Sequence, residues 1–306
     1  MIILPRQKTL TQIQLETLTP RLSTQDPLYP TLLEYLKRER SLDFYYKQLP
    51  KAPLLLHGLR LHDESASYFQ IDTLMFFQNF LLIIEVKNYT GVLAYDVETG
   101  LLTREQGKGN VDRFDDPIAQ VQLQRYRLQR YISLGNLPVF TLVVFTNPNS
   151  MLHINGHQPN MLLRERLPQR ITELLTTNKI THFKQSELVQ IATQLKDAHE
   201  PSTVNIIEKF QINRCAIQSG VWCTSCKHEY MIRKNRNWYC LSCNHTDPNA
   251  SLRTLQEYKI LFGKEITSNQ AERFLTLDSR KIAKSILDRA NCKKIGKNKG
   301  AKYIIP

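Results

Sequence analysis

Apolar positions in the first half of the chain run at a spacing that predicts strands. Ile71-Asp72-Thr73-Leu74-Met75-Phe76-Phe77 and Phe80-Leu81-Leu82-Ile83-Ile84-Glu85-Val86-Lys87-Asn88 flank the polar pair Gln78-Asn79. β-branched and aromatic residues around a two-residue polar turn predict a β-hairpin. Pro138 to Asn147 predicts a further core strand. Spacing of three and four predicts helices over Ile118 to Ile132, Leu167 to Leu175 and Ser186 to Leu195. Asp116 fits the N-cap of the first, and Pro117 its first turn. Toward the end, helices are predicted over Leu255 to Phe262, Asn269 to Leu275 behind Thr267 and Ser268, and Arg280 to Ala290 behind Ser279. Ile282, Ala283, Ile286 and Leu287 give the last of these an apolar face. A Gly-turned basic hairpin, Lys293 to Ile305, follows. The Thr-, Gln- and Pro-rich residues 1–29 are expected to form an irregular arm.

The hairpin carries the first candidate chemistry. Side chains alternate along a strand, so Glu85 and Lys87 share one face while Val86 takes the other. Antiparallel pairing about the turn brings Asp72 close to Glu85. A carboxylate closing so apolar a strand needs a partner or a metal. Two convergent carboxylates offer hard oxygen ligands suited to Mg²⁺ or Mn²⁺. With a lysine beside them, they meet the needs of a metal-dependent phosphodiesterase. A structural Glu85–Lys87 ion pair is the alternative, because acid-x-base triplets arise by chance in a chain with 28 acidic and 41 basic residues.

Gln70-Ile71-Asp72-Thr73-Leu74, Ile84-Glu85-Val86-Lys87-Asn88 and Gly91 together resemble the nuclease-related domain, NERD. That family is placed in the PD-(D/E)xK restriction-endonuclease-like superfamily. Arg38-Glu39-Arg40-Ser41-Leu42-Asp43-Phe44-Tyr45-Tyr46 resembles the family's first helix, and Asp116-Pro117-Ile118-Ala119-Gln120 its Asn-Pro-x-x-Gln segment. Arg38 departs from the family pattern, which has glycine there. The resemblance implies an α/β fold with a mixed sheet flanked by helices. It implies Asp72 and Glu85 as metal ligands, Lys87 as the catalytic lysine, Glu39 as a helix-borne acid and Gln120 as an orienting side chain. For Glu39 a solvated helix face, and for Gln120 a solvent-facing glutamine, are the alternatives.

Cys223-x2-Cys226 and Cys240-x2-Cys243, thirteen residues apart, have the spacing of a four-cysteine Zn²⁺ site. Strand-like residues between the pairs, with Asn235-Arg236 as a turn, make this a zinc-ribbon pattern. Two disulfides or a redox pair are the alternatives. Met1 to Pro5 is too short an apolar run for a secretory signal, so a reducing, cytoplasmic setting is expected. The family resemblance adds a bacterial one.

The formal net charge is +13. From Ser251 onward there are 13 Lys and Arg against 5 Asp and Glu, so +8 lies in the last 56 residues. Helices followed by a basic hairpin are similar to a winged-helix module, a nucleic-acid-binding design. Arg280, Lys281, Lys284, Lys293, Lys294, Lys297, Lys299 and Lys302 are its candidate phosphate contacts.

The organisation expected is an arm (1–29), a nuclease-like core (30–150), a helical extension (151–212), a zinc ribbon (213–250) and a basic winged-helix-like module (251–306). The function expected is metal-dependent hydrolysis of DNA, without a membrane span; cutting both strands of a duplex would call for a homodimer. A catalytically inactive nucleic-acid-binding protein on the same fold, or a zinc-containing interaction scaffold, is the alternative.

Overall fold

The computed structural model describes residues 1–37, 42–63, 67–105, 110–226, 229–297 and 301–306. Arg38 and Glu39, His228 and Lys299 lie outside the described residues. The chain divides into two compact units, one of Met1–Gln7 with Lys37–Ser202 and one of Lys8–Leu36 with Thr203–Pro306.

Residues 1–29 are not an irregular arm. β1 (Ile2–Leu4) pairs in parallel with a later strand of the first unit. α1 (Leu10–Leu18) belongs to the second unit, and its N-cap Thr9 accepts a hydrogen bond from the Gln12 N–H at 3.1 Å. Leu15, Leu18 and Leu22 recur at helical spacing among polar residues and are buried with Ile206 and Ile207. The polar composition masks that stripe. α2 (Tyr29–Lys37) follows.

The first unit is built on a six-stranded mixed sheet. After the short α3 (Asp43–Tyr46), β2 (Leu54–His62), β3 (Tyr68–Phe76) and β4 (Leu81–Lys87) form an antiparallel meander. β3 and β4 close across Gln78-Asn79, with the Phe77 N–H donating to the Phe80 carbonyl at 2.9 Å. β5 (Gly91–Asp96), β6 (Leu101–Glu105) and β7 (Val111–Phe114) form most of a second sheet. α4 (Pro117–Tyr131) then leads to β8 (Val139–Phe145), which lies parallel to β4. β9 (Ser150–Asn155) joins β5 in the second sheet, and β10 (Met161–Leu163) completes the first, in the order β1-β2-β3-β4-β8-β10. Thus the stretch expected to be a helical extension begins with two strands, followed by α5 (Leu167–Thr177) and α6 (Gln185–Asp197).

The unbroken apolar run of β4 follows from burial on both faces. Leu81 and Ile83 pack with Val121 and Leu128 of α4 and Leu188 of α6. Leu82 and Ile84 pack on the opposite side with Tyr46, Leu167 and Ile171. Strand alternation slips once. Leu74 and Phe76 share a cluster with Phe69 and Ile71, so β3 changes parity at Asp72. On β2 the position facing it is Gly58, between Leu59↔Ile71 and His57↔Thr73, with φ +61°. A residue without Cβ accommodates that backbone most readily.

In the second unit, α7 (Ile206–Lys209) precedes a three-stranded antiparallel sheet of β11 (Val221–Trp222), β12 (Tyr230–Lys234) and β13 (Asn237–Cys240). Asn235 and Arg236 both take positive φ (49° and 67°), as a two-residue hairpin turn of the primed type requires. α8 (Ala250–Phe262) begins five residues before the predicted start. β14 (Glu265–Thr267), α9 (Ser268–Phe274) and α10 (Arg280–Arg289) follow, then β15 (Lys293–Ile295) and β16 (Lys302–Ile304). The last sheet runs β14-β16-β15. Thr267 caps α9 in a reciprocal pair with Gln270, and Ser279 caps α10.

Candidate functional site

β3, β4 and α4 bring four of the five sequence-predicted site residues of the first unit together; the fifth, Glu39, lies outside the described residues. Main-chain pairing of β3 and β4 is recorded as far as Thr73↔Ile84. One rung on, the Val86 N–H donates to the Asp72 Oδ2 at 2.9 Å, placing the Asp72 carboxylate beside β4. Glu85 is 5% exposed and points to the α4 side. Lys87, two residues on, donates from Nζ to Glu85 Oε1 at 2.7 Å and to Gln120 Oε1 at 2.7 Å.

α4 supplies the rest. Asp116 caps it by accepting from the Ile118 N–H at 2.8 Å, and Pro117 opens it where no intrahelical donor is needed. Gln120 Nε2 donates to Glu85 Oε1 at 2.7 Å, and Gln124 Nε2 donates to Glu85 Oε2 at 2.8 Å. Gln124 is a partner of Glu85 that sequence reasoning missed. Its signal was its place one helical turn beyond Gln120, which puts both amides on one face.

Electrostatically, the site has more negative charge than its own lysine balances. The Asp72 carboxyl is pushed up to about 7, first by burial and then by the Glu85 charge, while the Val86 amide, Lys87 and Arg6 pull in the opposite direction. Behind it on the sheet, Thr73 Oγ1 lies 3.1 Å from His57 Nδ1 and accepts from the Tyr46 hydroxyl at 3.4 Å. Burial lowers His57 to about 4, so this neighbour is neutral at pH 7. Two hard carboxylates short of positive charge could hold a divalent cation.

The second cluster is in the second unit. The Sγ atoms of Cys223, Cys226, Cys240 and Cys243 all lie within 4.8 Å of one another. Cys223–Cys243 and Cys226–Cys240 are each 3.6 Å apart, far beyond a disulfide bond. Sulfurs at ~2.3 Å from one tetrahedral Zn²⁺ would be roughly 3.8 Å apart, so the cluster is compatible with a zinc ribbon and could bind zinc. The Cys243 thiol is lowered to about 6, first by the hydrogen bond from the His245 backbone N–H. Cys215 and Cys292 lie outside the cluster.

The predicted basic contacts divide into groups. Arg280, Lys284 and Lys294 line one cleft of about 780 Å³ together with Thr267, Ser268 and Asn269. Lys281 is exposed on α10, and Lys293 and Lys297 are exposed at β15 and just beyond it. Lys302 instead pairs with Glu265 at 2.6 Å, and Arg280 stands 3.7 Å from Glu272. Lys299 lies outside the described residues.

Residues 36–146 match the nuclease-related domain, NERD. Asp72, Glu85, Lys87, Gln120 and Gln124 all fall inside that segment. No curated protein and no solved structure matches the chain. Among the described residues, no helix is long and apolar enough to cross a membrane.

Proposed function

We propose that the chain is a metal-dependent nuclease of the PD-(D/E)xK type that hydrolyses phosphodiester bonds in DNA. The observation that carries this is the convergence of Lys87, Gln120 and Gln124 on Glu85, with the Asp72 carboxylate on the adjoining Val86 amide, within the segment that matches the nuclease-related domain. The strand β8 beside the β3–β4 hairpin supports it, since the superfamily resemblance implies a core strand at that place.

Asp72 and Glu85 would hold Mg²⁺ or Mn²⁺. Such an ion, when bound, polarises a phosphoryl oxygen and lowers the pKa of a coordinated water. Gln120 and Lys87 occupy Oε1 of Glu85 and Gln124 fixes Oε2, which keeps one lone pair for a cation. Lys87 neutralises Glu85 in the protein alone. In the reaction its ammonium orients the attacking water and holds negative charge as it develops on the phosphate. Glu39 keeps the role that the family resemblance implies, a helix-borne acid shaping the metal site. The four cysteines would hold a structural Zn²⁺, with residues 213–250 as the ribbon. Residues 251–306 would form a winged-helix-like module, α10 meeting the groove and the basic strands meeting phosphate.

The test is cleavage of single-stranded, duplex and branched DNA with Mg²⁺ or Mn²⁺, beside Glu85→Ala. Cutting by the wild type that disappears in Glu85→Ala is the expected result. Cutting that persists in the variant would remove the assigned site. Binding without cutting by the wild type on any substrate would favour the inactive nucleic-acid-binding alternative.

A further inference from the structure

In the second unit, Arg280, Lys284 and Lys294 stand around one cleft of about 780 Å³ together with Ser268, Asn269 and Tyr303. We propose that this cleft holds the terminal phosphate of a nucleic-acid strand, a phosphate monoester, against the Tyr303 hydroxyl. The inference rests on the nucleic-acid part of the proposed function and adds to it a preference for strand ends.

Three elements assemble the cleft. Arg280 and Lys284 are four residues apart on α10 and so project from one face of it. Lys294 and Tyr303 are directly paired across β15 and β16, which puts their side chains next to each other on one face of that sheet. Ser268 and Asn269 come from the first turn of α9.

Charge is the first argument. The lining has three cations and, among the described residues, no carboxylate. Arg280 Nε stands 3.7 Å from Glu272 Oε2, a long ion pair. Lys284 and Lys294 enter no ion pair among the described residues, and Asp288, one turn beyond Lys284, is outside the lining. Asn298, Lys299 and Gly300, which lie outside the described residues between β15 and β16, carry no acid. Two lysine charges are thus left for an anion.

Tyr303 is the second. It is 4% exposed and lines the cleft, and its hydroxyl has no hydrogen-bond partner among the described residues. Leaving such a group unpaired is costly, and a ligand oxygen would remove that cost. Burial and then the Asp288 charge raise the Tyr303 pKa, so the hydroxyl keeps its proton and donates. The Ser268 and Asn269 side chains also lack partners among the described residues and offer further donors.

Ligand chemistry is the third. A phosphate monoester carries about −1.5 to −2 charge at pH 7 and presents three acceptor oxygens. A backbone diester carries a single charge and must lead the chain away on both sides. Two lysines in excess and a recessed donor suit the monoester, which enters end-on. The cleft volume falls in the range that holds a nucleotide-sized group.

The experiment uses the full chain carrying Lys87→Ala, so that binding is read without turnover. Fluorescence anisotropy would compare one labelled DNA sequence, single-stranded and duplex, ending in a 5′-phosphate, a 3′-phosphate or hydroxyls only. A phosphorylated end should tighten binding by about tenfold or more, and the end that does so names the polarity. Tyr303→Phe and Lys284→Gln should each remove most of that gain. Tyr303→Phe should leave the affinity for hydroxyl-ended DNA unchanged. Inorganic phosphate at constant ionic strength should compete away the same gain and spare hydroxyl-ended DNA. Thermal unfolding of each variant checks that the fold is intact. Equal affinity for phosphate-ended and hydroxyl-ended DNA, or a gain that persists in Tyr303→Phe, would overturn the proposal while leaving the nuclease reading in place. Failure of every DNA to bind would overturn both.

Discussion

The Asp72 carboxylate accepts the Val86 N–H at 2.9 Å, one rung past the last main-chain pairing of β3 with β4 at Thr73↔Ile84. A side chain takes over there from a backbone carbonyl. The carboxylate is thereby fixed one residue from Glu85, at the point where strand parity also changes. Both features place charge at the end of an otherwise apolar pair of strands, and both make that charge costly in the protein alone.

That cost has a pH signature. The Asp72 carboxyl is raised from 3.8 to about 7 in the folded protein, chiefly by burial and then by Glu85. The folded state therefore binds more protons than the unfolded state between about pH 4 and 7, and this group's contribution to stability falls across that window. Above pH 7 the loss is complete. Asp72→Asn should raise the stability of the metal-free protein at pH 8 by roughly 1–3 kcal/mol and abolish cleavage. Added Mg²⁺ or Mn²⁺ should stabilise the wild type at pH 8 and not the variant. Thermal unfolding from pH 5 to 8.5 reads both effects, and parallel curves for the two proteins would contradict them.

Glu85 depends on its donors. Lys87→Met leaves a buried carboxylate without its cation, which should cost about 3–5 kcal/mol in metal-free protein and abolish cleavage. Gln124→Leu removes the donor from Oε2, and should cost about 1–3 kcal/mol while slowing cleavage at least about tenfold. Urea unfolding of each variant measures the stabilities. A Gln124→Leu protein as stable and active as wild type would mean that this hydrogen bond does not form in solution.

The parts of this site differ in how far sequence reveals them. Glu85 and Lys87 were readable because β4 is a long apolar run with two charges at its end, and period two puts them on one face. Asp72 was readable as a neighbour of Glu85, but the parity change at Asp72 and Gly58 was not. Counting by twos cannot show that both strands slip together. Gln124 was hidden because glutamine inside a helix reads as a solvated residue until the sheet beneath it is known. In residues 1–29, polar composition concealed β1 and α1, whose apolar stripe becomes meaningful only against Ile206 and Ile207, far along the chain. The cysteine pairs needed no such context, since their spacing alone brings four sulfurs within reach of one ion.

Zinc binding should be stoichiometric and structural. Cys223 and Cys240 are buried in the same apolar cluster as Trp238, Leu255 and Ile286, so an ion held by the four thiolates would tie the small β11–β13 sheet to the helices around it. Cys240→Ser should lower bound zinc well below one equivalent and destabilise the second unit by several kcal/mol. Metal analysis with limited proteolysis would detect this. A full equivalent of zinc in the variant would exclude the four-cysteine site.

The basic residues at the end of the chain are open to a salt titration. Arg280, Lys284 and Lys294 share one cleft, and Lys293 and Lys297 are exposed, whereas Lys302 is already paired with Glu265. If this face meets phosphate, each neutralised contact should reduce the slope of log K against log salt by about 0.9 on duplex DNA. Replacing Lys284, Lys293, Lys294 and Lys297 by Gln should therefore lower the slope by roughly 3.6 and weaken binding at low salt most. Lys302→Gln alone should change the slope by less, because its charge is offset by Glu265. Duplex binding measured from 50 to 300 mM salt decides the matter: an unchanged slope in the fourfold variant would move the duplex-binding surface away from α10 and β15.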